Sequence, residues 1–364
     1  EEAYELIEAI ENEDNANINC PILALTMGDP AGVGPEIIAR ALSHKNIYEI
    51  SRPLVIGDAS IISKAVDLIG KPIKVNAIDD PLKAQYKYKT IDVLDQQTID
   101  LQTFEFAKIS ATAGNAAFEA IHKAIELALN RIVNAVVTAP INKEALNAAG
   151  HKFSGHTEIF AYYTNTKNYA MMLVTGNLKV VHVSTHVSLR EACELVKKDR
   201  VLSVIKLAHY AIQDFGIQKP RIAVAGLNPH SSDGGLFGSE EKDEIIPAII
   251  EAQRNGINVE GPISPDTLYS KAAGGCYDIV VAMYHDQGHI PAKMIGFVWD
   301  NISKKWEKVS GINITLGLPI IRTSVDHGTA FDQAWKNIAC EESMLEAISY
   351  ASIYANRNIR PQCM

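Results

Sequence analysis

Tyr277-Asp-Ile-Val-Val-Ala-Met-Tyr-His-Asp-Gln-Gly-His-Ile-Pro-Ala-Lys293 is the stretch around which the rest of this chain is read. Ile279 to Met283 has the length and β-branched content of a buried strand, and it empties directly into Tyr284, His285, Asp286, Gln287 and Gly288. In open α/β sheets ligands collect outside the carboxyl ends of the strands, so titratable residues just past such an end are candidates for chemistry. His285 is of a metal-ligating type, Asp286 can orient a neighbour or accept a proton, and Lys293 can meet an anion. A polar turn after a core strand would look the same, so this stretch cannot decide alone.

Outward from it, apolar strands alternate with amphipathic helices. Ile22 to Met27 reads as a strand, followed by the glycine-rich Gly28-Asp-Pro-Ala-Gly-Val-Gly-Pro-Glu36 and a helix from about Pro35, where Pro and an early Glu are start signals. That loop lacks the Gly-Lys-Ser/Thr ending of a phosphate loop and the spacing of a dinucleotide fingerprint; it serves either tight packing or close approach to a ligand. Further strands are expected at 54–57, 73–77, 135–138, 170–174, 179–184, 221–226 and 278–283. Helices are expected at 59–69, 113–131, 157–165, 199–215, 240–255 and 341–357, with another opening at Lys143, while residues 79–110 are poorly patterned. The alternation predicts an α/β fold with a largely parallel sheet covered on both faces. Residues 1–20 read as an appended acidic tail able to form a short amphipathic helix through Tyr4, Ile7 and Ile10.

Composition narrows the function classes. The formal net charge is −9, but residues 1–20 hold seven acids and no Lys or Arg, so the remainder is near neutral. No basic stripe speaks for nucleic acid, and no apolar run approaches a membrane span. Five scattered cysteines without a C-x-x-C pair fit reduced thiols and a cytoplasmic location, and no secretory leader is recognised.

Two more strand ends repeat the opening pattern. Val180-Val-His-Val-Ser-Thr-His186 runs into His186, and Ile222-Ala-Val-Ala-Gly-Leu-Asn-Pro-His230 runs into His230. With His285 they give three imidazoles at three strand ends, a set suited to a divalent metal with open positions for substrate. A second group reads as anion recognition. Ser154-Gly-His-Thr-Glu158 carries a helix-start signature with Thr157 able to cap, while Lys293, Asn313 and Arg322 add donors and charge.

These motifs resemble one family, the 4-hydroxythreonine-4-phosphate dehydrogenases of pyridoxal phosphate biosynthesis, from Ile22 onward. The likeness rests on residues 27–36, Gly155-His-Thr-Glu158, Ser184-Thr-His186, Gly226-Leu-Asn-Pro-His230, Ala282-Met-Tyr-His-Asp-Gln-Gly288 and the run from Asn313 to Thr329. The resemblance implies two interleaved α/β/α lobes like those of isocitrate and isopropylmalate dehydrogenases, one of about 21–145 plus 295–364 and the other of about 146–294. It implies His186, His230 and His285 as ligands of Zn, Mg, Mn or Co, with His285 supplied by the partner in a homodimer whose active site is shared. It further implies substrate contacts from His156, Thr157, Lys293, Asn313 and Arg322, proton handling by Lys293 and Asp286, and NAD binding near Asn228, His327, Gly328 and Thr329. The implied reaction is NAD-dependent oxidation of a C3 hydroxyl with decarboxylation of a four-carbon 4-phosphorylated acid, with 4-hydroxythreonine-4-phosphate as the first substrate expected and the phosphothreonate or phosphoerythronate type as the alternative.

Some letters point to a branch of that family. His289-Ile-Pro-Ala-Lys293, Thr138-Ala-Pro-Ile-Asn-Lys143 and Gly328-Thr-Ala-Phe-Asp-Gln-Ala-Trp335 resemble the enzymes that oxidise 4-phospho-D-threonate or 4-phospho-D-erythronate in sugar-acid catabolism. Ser231-Ser232 stands where the family commonly has Ala-Gly, and an insert over 298–310 reads as a surface hairpin in preference to a lid. Two readings of other classes remain on the sequence: a phosphohydrolase using the same histidines with a metal-activated water, and a non-catalytic protein that only binds the ligand.

Overall fold

The computed structural model describes residues 20–301 and 305–359; the proposed tail helix therefore lies outside the described residues. The strands, in chain order, are β1 (Ile22–Thr26), β2 (Arg52–Gly57), β3 (Lys74–Ile78), β4 (Thr90–Asp95), β5 (Ala135–Thr138), β6 (Ala170–Thr175), β7 (Leu178–His182), β8 (Ile222–Ala225), β9 (Val259–Ile263), β10 (Ile279–Ala282), β11 (Phe297–Asp300), β12 (Lys305–Val309), β13 (Ile312–Leu316) and β14 (Ile321–Val325). The chain divides into two units, the first running to Thr166 and resuming at Leu318, the second spanning Lys167–Gly317.

The first unit carries the order β3-β4-β2-β1-β5-β14, every neighbouring pair parallel. Its central strands are apolar on both faces, as a doubly covered parallel sheet demands: Leu23, Ala24 and Leu25 on β1 and Val136 and Val137 on β5 are fully buried. One face packs the long helix Ala111–Leu129, whose Ile121 and Ile125 join Leu54, Ile56, Val136 and Phe160 in one cluster. Gly114 lets that helix approach the next one, since a Cβ there would lie 2.0 Å from the Ala145 carbonyl oxygen. The glycines after β1 are used the same way: a Cβ on Gly28 would meet Pro140 O at 2.4 Å, one on Gly32 would meet Thr329 Cβ at 2.9 Å, and one on Gly34 would meet Met27 O at 2.4 Å. Tight packing is thus the visible use of this loop.

The second unit carries the order β13-β6-β7-β10-β8-β9, antiparallel through β13-β6-β7 and parallel from β7 to β9. Its core joins Leu173, Val180, Ala223, Leu268, Val280 and Ala282. The insert forms the antiparallel hairpin β11-β12, as the surface-hairpin reading expected. Four strands were not anticipated, β4, β9, β13 and β14. β4 falls inside the poorly patterned 79–110, and β9 is interrupted by Gly261-Pro262. Within the described residues no helix is long and apolar enough to cross a membrane.

Candidate functional site

In the second unit the parallel strands β7, β10 and β8 lie side by side, so their carboxyl ends open at one edge. Beyond the last ladder pair the exits stay fastened. Val183 N donates to Ala282 O at 2.8 Å and Ser184 Oγ to Met283 O at 2.9 Å. On the other side of β10, Met283 N donates to Gln287 Oε1 at 2.7 Å and Gln287 Nε2 to Gly226 O at 2.7 Å. Each fastened exit then delivers its histidine: His186, His285 at the start of the helix His285–Gly296, and His230.

His186 and His285 come together, their ring centroids 5.7 Å apart. His285 Nδ1 is 2.7 Å from Asp286 Oδ1, an arrangement in which Nδ1–H donates to the carboxylate and Nε2 keeps its lone pair. Asp286, expected to handle protons, is paired here with the His285 ring. Two histidines not singled out from the sequence complete the cluster. His289, one helical turn past His285, stacks on it at 3.6 Å and donates its ring Nδ1 proton to His285 O at 3.0 Å; His182, the last residue of β7, packs 4.8 Å from His289 and bonds Met171 O at 3.1 Å. Burial pushes the His182 pKa down to about 4, so it is neutral, with Nε2 shielded and unpartnered. A histidine inside the run Val180 to Val183 reads as a core position, and only its neighbours reveal more.

His230 stands apart from this pair. It opens a run of left-handed backbone, with φ of 53° at His230, 55° at Ser231, 72° at Ser232 and 44° at Asp233. Its base is pinned by Glu241, whose Oε1 accepts from Leu227 N at 2.8 Å and Asn228 N at 2.7 Å. Asn228, expected near the cofactor, spends its side-chain amide on Glu240 at 2.8 Å and Glu241 at 2.9 Å. The Ser232 hydroxyl closes the loop on Gly238 O. Lys293 Nζ lies 4.4 Å from the Phe297 ring centroid, and Asn313 on β13 keeps a shielded Oδ1 without a partner.

Among the described residues no group of three His, Cys, Asp or Glu is gathered in one chain as a metal cage. The donors present nonetheless suit a divalent ion. Imidazoles sharing one tetrahedral ion through nitrogens at about 2.1 Å hold their centroids roughly 5 Å apart, close to the His186–His285 spacing, and the Asp286 contact is the usual outer support of a metal-bound histidine.

The first unit holds His156, Thr157 and Arg322 of the anion-type residues, while Lys293 and Asn313 belong to the second. Arg322 on β14 pairs in register with Val136 of β5, so Thr138, two residues on, lies on the same face. The Arg322 guanidinium is buried and donates from Nε at 3.2 Å and Nη2 at 2.8 Å to Thr138 Oγ1, while that hydroxyl donates to Thr323 O at 3.4 Å. Burial draws the Arg322 pKa down to about 9, opposed by Glu158, and the group stays cationic at neutral pH. Phe160 lies under it at 5.6 Å. His156 is held well below its ordinary pKa by burial and then by Arg322, and its Nε2 is shielded and unpartnered. The helix starts one residue earlier than expected: Gly155 is its N-cap, no side chain caps it, and Thr157 falls inside the first turn. Thr138 was not singled out from the sequence as a functional residue. His327 Nδ1 contacts Gly328 O at 2.9 Å, and Thr329 O accepts from Val33 N at 3.0 Å.

Comparison with known proteins gives a consistent picture. Residues 49–351 match the family model described as pyridoxal phosphate biosynthetic protein PdxA. The chain is 46% identical over 338 residues to the D-threonate 4-phosphate dehydrogenase of Cupriavidus necator, covering 93% of this chain and 98% of that one. It is 43% identical over 338 residues to the 4-hydroxythreonine-4-phosphate dehydrogenase of Desulforapulum autotrophicum, covering 93% and 96%. A crystal structure of 4-hydroxythreonine-4-phosphate dehydrogenase from Klebsiella pneumoniae superposes with a TM-score of 0.80 at 43% identity, covering 92% of this chain and 99% of that one.

Proposed function

The chain belongs to the family of the pyridoxal phosphate biosynthetic protein PdxA and is a dehydrogenase, and from that premise we propose that it oxidises and decarboxylates a four-carbon 4-phosphorylated hydroxy acid, preferring D-threonate 4-phosphate to 4-hydroxythreonine-4-phosphate. The preference draws support from relatives with the threonate name at 46% identity in Cupriavidus necator and in Salmonella typhimurium, against 43% for the hydroxythreonine relative. It reverses the order in which the sequence ranked the two substrates.

The observation that carries the chemistry is the delivery of His186, His230 and His285 just past three adjacent strand ends, with Asp286 behind His285. When bound, a divalent ion would polarise the C3 oxygen and a nicotinamide would take the hydride. The protein's own part is to hold and orient. His186, His230 and His285 are the ligands; Asp286 fixes the His285 tautomer. Buried Arg322, its fork aimed by Thr138, meets the phosphate together with His156 and Thr157, and neutral His156 offers a donor without a second charge. Asn313 presents its unpartnered oxygen to a substrate hydroxyl, and Lys293 handles the proton that the hydroxyl releases and the one that C2 regains after CO₂ departs. His327, Gly328 and Thr329, with Asn228, hold the nicotinamide nucleotide, NAD.

The working form is a homodimer. Ile290, Met294, Val298 and Trp299 project an apolar surface from the helix His285–Gly296 and β11, with Met294 78% and Ile290 61% exposed. His285 is then shared across the interface and completes the set of three. The second reading, His285 serving its own chain, is favoured by the 5.7 Å spacing within one chain. Free thiols at Cys20, Cys193, Cys276 and Cys340 support a reducing, cytoplasmic setting.

The test is NADH formation by purified protein with Mn²⁺, offering D-threonate 4-phosphate and 4-hydroxythreonine-4-phosphate in parallel. A higher kcat/KM for the first, lost on chelation, is expected. Silence with both while Mn²⁺ is bound would sink the reading and favour the phosphohydrolase.

A further inference from the structure

The His285 ring is held on two sides, and the two holds differ in firmness. At its edge Nδ1–H meets Asp286 Oδ1 at 2.7 Å, but the Asp286 side chain is 70% exposed, so water competes for that contact. Against its face lies His289, four residues on along the same helix and so on the same side of it, with ring centroids 3.6 Å apart and planes 12° from parallel. His289 is buried and fixed from two directions: its Nδ1 donates to His285 O at 3.0 Å, and its ring packs 4.8 Å from that of His182. His182 is in turn pinned to the sheet by the bond from its Nδ1 to Met171 O at 3.1 Å, and Gly288 leaves it room, since a Cβ there would collide with His182 Nε2. The three imidazoles form a column that runs from the buried end of β7 out to the partly exposed His285.

We propose that His289 is a positioning residue whose ring, laid flat on His285, fixes the plane in which His285 offers Nε2 to a divalent ion. A metal–imidazole bond lies in the ring plane, and the outer torsion of a histidine side chain is broad, with no sharp minimum of its own. A single edge contact at Nδ1 leaves the ring free to rock about that contact. A flat neighbour on its face, itself backed by His182, limits the rocking, so Nε2 keeps one direction before the ion arrives. The column needs only one chain, since His182, His285, Asp286 and His289 all belong to the second unit. It therefore acts in the same way whether His285 serves its own site or that of a second copy. The inference rests on the metal role proposed above for His285.

The experiment measures Mn²⁺ binding by titration calorimetry on the full chain, and the visible spectrum of bound Co²⁺, for wild type, His289→Phe, His289→Ala and His289→Asn. Phe keeps the flat ring and gives up the nitrogens. Ala removes the ring. Asn removes the ring and keeps a donor for His285 O; it carries the test should the Ala variant not fold. Losing an outer support of a ligand costs about 10–100-fold in metal affinity, so Ala and Asn should bind Mn²⁺ about tenfold more weakly or worse and alter the Co²⁺ spectrum, with Phe within about threefold of wild type. A merely structural His289 would lower the unfolding temperature and leave the folded Ala and Asn variants within about twofold of wild type in Mn²⁺ affinity, which would overturn the proposal. A Phe variant weakened as much as Ala would overturn it too, because the nitrogens of His289 and not its face would then matter. Wild type that binds neither ion would overturn the metal role itself and the proposal with it, a distinct result visible before any variant is made.

Discussion

Thr138→Val removes one hydroxyl from the first unit and almost no volume. In the structure that hydroxyl accepts from Arg322 Nε at 3.2 Å and Nη2 at 2.8 Å and donates to Thr323 O at 3.4 Å. Hydrogen bonds to a charged partner are each worth about 1.5–3 kcal/mol, and two that share one acceptor are worth less than twice that. Burial already disfavours the guanidinium charge, drawing its pKa to about 9, so water does not make good the loss of this acceptor. The variant should lose about 2–3 kcal/mol of stability and turn the fork away from the phosphate. Since 1.4 kcal/mol is a factor of ten, a swing of comparable size raises KM for the phosphorylated acid by about tenfold or more, with kcat changed much less, because phosphate binding is felt equally in ground and transition states. Thr138→Ser keeps the hydroxyl and loses only a methyl, about 1 kcal/mol of packing, and should keep KM near wild type. Thermal unfolding and steady-state kinetics on both variants decide the matter. A Val variant whose KM matches that of the Ser variant would refute the aiming role.

Asp29 is fully buried after β1; burial raises its pKa to about 6, partly offset by the Ala31 N–H, and its Oδ2 has no partner. Its neutral form is the favoured one in the folded chain, so its stabilisation is full below pH 3.8 and is lost as pH rises through 6, a change of about 3 kcal/mol by linkage. The stability of Asp29→Asn relative to wild type should therefore climb between pH 4 and 6 and then level, and parallel unfolding curves across that range would refute it. Asp233 is exposed with φ 44° in the left-handed run after His230. Replacing it with Gly should raise the unfolding temperature of the second unit by a few degrees, since a left-handed L-residue costs about 1–2 kcal/mol and Gly returns part of that in unfolded-chain entropy; a lower midpoint by calorimetry would count against strain. His285→Ala and His230→Ala should each abolish turnover. Refolded together, they should recover about one quarter of wild-type activity if the site is shared, because half the dimers are mixed and each has one intact site; no recovery would assign His285 to its own chain.

The strand ends were legible because two independent signals coincide there. A short β-branched run marks the strand, and a histidine just past it marks the exit, so His186, His230 and His285 could be placed before any coordinate was known. β4 was not legible for the opposite reason. Its Thr90-Ile-Asp-Val-Leu-Asp95 carries Asp92 at a fully buried position, and the carboxylate is made tolerable by Asn76 Nδ2 at 2.6 Å, Gln85 N at 3.0 Å and Tyr86 N at 2.7 Å, partners supplied by β3 and by the turn before β4. The glycines at 28, 32 and 34 left packing and ligand approach equally open, because both ask for a missing Cβ and only the distance to Pro140, Thr329 and Met27 separates them.

The residues that the sequence named without giving them a role share a property that explains why. Gln287, Ser184 and Thr138 are ordinary polar letters whose importance lies in bonds to Gly226, Met283 and Arg322, at sequence separations of 61, 99 and 184. A ligand or a catalytic acid is recognised by what it is; a support is recognised only by what it touches. In this fold the touching partners are exits of adjacent strands, brought together by a sheet whose spatial order differs from its chain order, so no local pattern encodes them. The consequence is specific: the chemistry-bearing arginine can stand intact while its support changes, and substitution at Thr138 should alter phosphate binding without touching a single candidate ligand.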